Sequence, residues 1–120
     1  TAVMDMDPVI GGGGTGPSPG FYIRAGLVGC VAIGIKLAAA REAIPIEAID
    51  VDVEMDFDDG ARLGMATNSA APLETRIKVR ITSSAPWDQI SAMVDRAMEA
   101  DPYYVALKEP QAVKLTLSRG

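Results

Sequence analysis

A chain of 120 residues, 48% of them hydrophobic, has material for one domain and one core. A domain of this size buries only about 65% of the surface its unfolded chain exposes, so a partner subunit would add burial. The formal charge of −5 argues against a phosphate-backbone ligand, and one cysteine with no histidine rules out an internal disulfide and leaves little for zinc or haem.

The chain opens on a weakly alternating segment, Thr1 to Asp7, read as a short strand that Pro8 ends. Gly11 to Gly20 follows, a run of Gly, Pro, Ser and Thr that forbids helix or regular sheet and reads as an extended loop. From Pro19 to Ala43 the residues suit a helix, with Ser18 as cap, Pro19 in the first turn and Pro45 as a stop beyond. Its middle is apolar nearly all round, which implies burial on most sides. Gly26, Cys30 and Gly34 recur at spacing four with Gly29 beside them, a stripe against which a second copy of the helix could pack closely. Each glycine costs a helix about 1 kcal/mol relative to alanine, and close packing is the simplest compensation.

Ile46 to Asp58 alternates strictly: Ile49, Val51, Val53, Met55 and Phe57 against five acidic residues. Thr75 to Ser83 repeats the pattern with Ile77, Val79 and Ile81 on one face and Arg76, Lys78 and Arg80 on the other. Acidic and basic outer faces suit antiparallel neighbours. The polar connection from Asp58 to Ala70 reads as a flexible loop. Pro86 opens a second helix with Ile90, Met93, Val94 and Ala97 on one stripe, ending near Ala100. Tyr103 to Lys108 makes one or two more helical turns, and Val113, Leu115 and Leu117 alternate in a last strand. The predicted order is β-α-β-β-α-α-β, an α+β fold.

The longest uncharged apolar stretch inside a candidate helix, Ala25 to Ile35, is short of the roughly 20 residues a membrane span needs, and no basic, apolar leader opens the chain. The expectation is a cytoplasmic protein with neither membrane nor nucleic acid as partner. Gly11, Gly13 and Gly16 satisfy GxGxxG, but no buried strand precedes them and Pro17 and Pro19 remove amide donors, so an ordinary loop is the better reading. The acidic run Asp50 to Asp58 has Met55 where a calcium loop needs glycine, and strand periodicity accounts for it. No metal and no cofactor is expected. Cys30 is the remaining candidate for chemistry. A lone cysteine is most often a small buried hydrophobe, and this one lies beyond the first turn of its helix, with Arg24 at a spacing that does not face it.

The stretch from Gly14-Thr15-Gly16-Pro17-Ser18-Pro19 to Ala25-Gly26-Leu27-Val28-Gly29-Cys30, with the helix exit Ala39 to Ile49, resembles the OsmC/Ohr family in motif, spacing and element order, from about Pro8 to Leu117. The resemblance implies a single domain over residues 1–120 whose upstream strands are largely absent. It also implies an intertwined homodimer in which central helices pack between two sheets. Active members reduce organic hydroperoxides: a thiolate attacks the peroxide, a sulfenic acid forms, and a second cysteine condenses with it to a disulfide. Cys30 then stands at the peroxidatic position. Asp101, in Asp101-Pro102, occupies the place of the second cysteine, and Gly20 occupies that of the catalytic glutamate. A carboxylate near Cys30 would raise the thiol pKa. The resemblance thus supports an OsmC-like protein with degenerate peroxidase chemistry. The alternative is a non-catalytic dimer that binds a hydrophobic hydroperoxide or another small apolar molecule.

Overall fold

The computed structural model describes all residues from Thr1 to Gly120. The central helix α1 (Pro19–Arg41) starts where sequence signals place it: Pro19 sits in the first turn, and Ser18 Oγ accepts a hydrogen bond from the Phe21 N–H at 3.3 Å. It ends in a Schellman turn. Ile44 N–H donates to Ala39 O at 2.9 Å and Ala43 N–H to Ala40 O at 3.4 Å, which puts Ala43 at φ +54°, a left-handed position that glycine usually fills. Ile44 and Ala39 are both buried at this corner, the apolar contact that accompanies the motif.

Strands β1 (Ala48–Asp56) and β2 (Glu74–Thr82) form one antiparallel pair. Ile49 faces Ile81, Val51 faces Val79 and Val53 faces Ile77 on the inner side. On the outer side Asp50, Asp52 and Glu54 stand opposite Arg80, Lys78 and Arg76, the register that the alternating charges favour. Helix α2 (Asp59–Arg62) is one turn, α3 is Trp87–Glu99 and α4 is Pro102–Lys108. The core lies where α1 and α3 meet beneath the sheet: Leu27, Val31, Ile35 and Ala39 from α1 against Ile90, Met93 and Ala97 from α3. The half-buried inner side chains of both strands cover it.

The α+β class holds, but four expectations are corrected. Thr1 to Asp7 is not a strand, because no strand lies beside it. The glycine loop folds back over it instead: the Asp5 carboxylate accepts from the N–H groups of Gly13 and Thr15 and from the Thr15 hydroxyl. These bonds hold its pKa well below the usual carboxylate range. The Val113, Leu115 and Leu117 segment is likewise not a strand; those side chains are 84%, 95% and 94% exposed, with no neighbouring edge to pair with. The connection after β1 is not simply a flexible loop, since Asp58 caps α2 through the Ala61 N–H and accepts from Asn68 Nδ2 at 2.8 Å. Finally, α1 is not buried on most sides. Ile23, Ile33 and Leu37 are 65%, 61% and 52% exposed, because α3, α4 and the sheet leave one flank open. By length and composition α1 is long and apolar enough to cross a membrane.

Candidate functional site around Cys30

Cys30 sits mid-way along α1, half-buried where that helix meets α4. The start of α4 follows from an N-terminal helix signature: Asp101 caps it, one carboxylate oxygen accepting from the N–H groups of Tyr103 and Tyr104 at 3.0 Å each, and Pro102 follows in the first turn. This cap fixes the carboxylate against α1. The Cys30 thiol donates to the same oxygen, Oδ1, at 3.4 Å. Asp101 is only 4% exposed, and its second oxygen, Oδ2, is buried with no hydrogen-bond partner.

These contacts set the chemistry of the sulfur. Burial pushes the thiol pKa up first, then the hydrogen bond to Asp101 and the charge of that carboxylate add to it, while the Tyr103 backbone N–H acts in the opposite direction. Cys30 is therefore a thiol at neutral pH, not the thiolate that nucleophilic attack requires.

A cavity of about 500 Å3 opens beside the pair. Its floor is one stripe of α1 that continues from Cys30 through Gly34, Leu37 and Ala38 to Arg41, and α3 and the start of α4 form the opposite wall with Ala97, Ala100 and Pro102. Arg41 and Arg96 also line it, and Arg96 is held by an ion pair with Glu42. Arg41 lies eleven residues beyond Cys30, about 16 Å along the helix axis, too far to pair with a thiolate. No group of three or more His, Cys, Asp and Glu is arranged to hold a metal ion.

The structure brings Cys30 and Asp101 together and leaves Gly20 apart. Gly20 is in the first turn of α1, about 15 Å along the axis from Cys30 in the same chain, beside the Arg24 guanidinium. Sequence reasoning missed Arg41, Glu42 and Arg96 in the lining. The helical spacing from Cys30 through Gly34 and Leu37 to Arg41 is a signal that could have found Arg41. Nothing in the sequence announces the Glu42–Arg96 pair, which joins two separate helices' ends.

A small α+β protein with a thiol on its central helix and a capped Xaa-Pro helix start beside it is the class that fold and site define. Residues 11–116 match the OsmC-like protein family, and the chain belongs to that family. Among solved structures it is similar to an OsmC-like hydroperoxide resistance protein from Jannaschia sp., with a TM-score of 0.70 and 20% identity over 90% of this chain and 71% of that one. An OsmC-like protein from Mycoplasma pneumoniae gives a TM-score of 0.66 and 19% identity over 78% of this chain and 64% of that one. An organic hydroperoxide resistance protein, OsmC, from Legionella pneumophila gives 0.59 and 23% over 87% and 71%. At these identities the likeness shows the fold. No curated protein matches the chain.

Proposed function

We propose that this chain is an OsmC-like protein in which the two-cysteine hydroperoxide cycle does not operate, with Cys30 held as a thiol by Asp101. The observation that carries this reading is the 3.4 Å contact between Cys30 Sγ and Asp101 Oδ1. Where a resolving sulfur would condense with a sulfenic acid, a carboxylate accepts the thiol's hydrogen bond instead. It cannot form a disulfide, and its charge suppresses the nucleophile. Stopped-flow mixing with cumene hydroperoxide and dithiothreitol tests the reading. Reaction at the rate of free dithiothreitol supports it, whereas saturable turnover that disappears in Cys30→Ser overturns it.

The cavity supports a second reading, binding without turnover. Its lining sets the apolar Ile33, Leu37, Ala38 and Ala97 beside the Cys30 thiol, the Asp101 and Glu42 carboxylates and Arg41 and Arg96, which suits a small, mainly apolar molecule with a polar group. Titration calorimetry with 2-phenyl-2-propanol, the alcohol of cumene hydroperoxide, checks it: saturable heat weakened by Gly34→Leu favours binding, and no heat removes it.

We propose further that the working unit is a cytoplasmic homodimer. A folded chain of 12.6 kDa leaves about 6,200 Å2 exposed, and the 8784 Å2 here exceeds this by about 2,600 Å2. Counted over two chains, about 5,200 Å2, that excess lies at the upper end of obligate homodimer interfaces, which bury roughly 2,000–5,000 Å2 over both partners. The open flank of α1 adds exposed apolar surface to it with Ile23, Ile33 and Leu37. Arg24 and Lys36 within the helix favour a second copy over lipid as the cover. Light scattering at micromolar concentration tests this, and a clean monomer overturns it.

A further inference from the structure

A second cavity, of about 360 Å3, lies between the first turn of α1 and the residues that follow β1. Two arginines, Arg24 and Arg62, line it, and no carboxylate does. In a chain of formal charge −5 this is a local reversal of sign. The Cys30 cavity shows the contrast, since Glu42 and Asp101 accompany its Arg41 and Arg96. Met6, Ile23 and Phe57 give the second cavity apolar walls.

Arg24 is half-buried and makes no ion pair. A Cβ built at Gly20 would stand 3.3 Å from Arg24 Nη1, so the guanidinium lies against the place a side chain there would occupy, and glycine leaves that place open. The acidic side chains on the neighbouring segments are committed elsewhere. Asp5 accepts from Gly13 and Thr15, Asp7 from Val9, and Asp58 from Ala61 and Asn68. Asp59 pairs with Arg62, but the pair is exposed and holds the cation loosely. Arg62 also lies over the Phe57 ring, 5.3 Å from its centroid, which orients the charge without neutralising it. No acidic residue stands in the first turn of α1 to offset the partial positive charge of the helix start.

We propose that this cavity binds a small organic acid with an apolar body, its carboxylate held by Arg24 over Gly20 and its body against Met6 and Phe57. Arginine suits the task because its planar guanidinium meets a carboxylate with two parallel N–H bonds. Arg62 supplies the second positive charge. Inorganic phosphate would satisfy the arginines but leave the apolar walls wet, so the walls select an organic acid. The site is separate from Cys30 and does not depend on whether the thiol reacts with peroxide.

Isothermal titration calorimetry of the full chain with phenylacetate tests the site, with 2-phenylethanol as the uncharged equivalent and potassium phosphate as the bare anion. Phenylacetate is expected to bind saturably, at least about tenfold more tightly than either control at matched ionic strength, because only it satisfies both arginine and walls. Arg24→Gln is expected to weaken phenylacetate binding by a similar factor. Gly20→Glu tests the open place itself. A glutamate four residues before Arg24 pairs with it along the helix and is expected to exclude phenylacetate while keeping or raising helicity in circular dichroism. No saturable heat, equal affinity for the alcohol or for phosphate, or unchanged binding in either variant overturns the site. Should one variant lose helicity, the other decides.

Discussion

Cys30 and Asp101, 71 residues apart in sequence, meet at 3.4 Å, with the thiol donating to the same carboxylate oxygen that caps α4. The helix cap and the suppression of the nucleophile are thus two effects of one side chain. Removing the charge while keeping the cap separates them.

Asp101→Ser does this, because serine caps a helix as well as aspartate does and the oxygen it deletes, Oδ2, has no partner to lose. The thiol pKa falls towards its ordinary value, so more thiolate is present at a given pH. The gain in thiolate outweighs the lower nucleophilicity of a less basic sulfur, so alkylation speeds up. Iodoacetamide modification of Cys30 at pH 8, followed by mass spectrometry, is expected to run measurably faster than in the parent chain. An unchanged or slower rate shows that Asp101 does not control the sulfur.

The same shift couples stability to pH. A thiol whose pKa is raised by folding binds its proton more tightly in the native state, so its contribution is fully present below the unfolded-state pKa, about 8.5, and is lost as pH rises through the folded value. Urea midpoints are therefore expected to decline above pH 8.5 in the parent chain and to decline less in Cys30→Ser, which keeps a donor towards Asp101 but does not titrate. Parallel pH profiles for the two proteins contradict this.

Much of the fold was legible because periodicity reports which face of an element is apolar. Ile49, Val51 and Val53 against Asp50, Asp52 and Glu54 define β1, and the complementary charges of Arg76, Lys78 and Arg80 define its neighbour and register. Ser18-Pro19 reads as a helix start and is one, and the helical turns read from Tyr103 to Lys108 are there as α4, one residue longer at its start. Periodicity does not report whether a partner exists: Val113, Leu115 and Leu117 alternate as well as any strand, yet nothing in the chain lies beside them. For the same reason the all-round apolar character of α1 suggested burial that one chain does not provide. At the site, the cap that Asp101 forms and the packing of α4 on α1 that brings it to Cys30 both come from the structure.

Asp101→Cys is expected to restore a redox pair. A sulfur replacing the carboxylate would lie near an atom now 3.4 Å from Sγ, close enough for a disulfide of about 2.05 Å with a small side-chain adjustment. The lost cap costs about 1 kcal/mol, which lowers stability without abolishing the fold. Treatment with one equivalent of cumene hydroperoxide is expected to convert the variant to a species two hydrogens lighter that dithiothreitol reverses. A variant that gains only oxygen atoms at Cys30 would show that the two positions do not meet.

Ala43 tests how α1 ends. Its φ of +54° places a Cβ where only glycine is unstrained, at the left-handed turn that satisfies the carbonyls of Ala39 and Ala40. Ala43→Gly is expected to stabilise the protein by about 0.5–1 kcal/mol, the strain relieved exceeding the entropy glycine adds to the unfolded chain. Thermal unfolding followed by circular dichroism reads this as a rise of a few degrees, and a fall would mean that the turn is not left-handed in solution.

Gly26 separates folding from association. A Cβ built at this position meets nothing within 4 Å, so leucine there fits a single chain and improves helix propensity by nearly 1 kcal/mol. The open flank of α1 is where a second copy is proposed to pack, and a leucine projecting from it holds the two helices apart. Gly26→Leu is therefore expected to keep or increase helicity while shifting the light-scattering mass from dimer towards monomer at micromolar concentration. A variant that stays fully dimeric places the interface on another face, and one that loses helicity as well would mean that Gly26 is needed by the fold of the single chain.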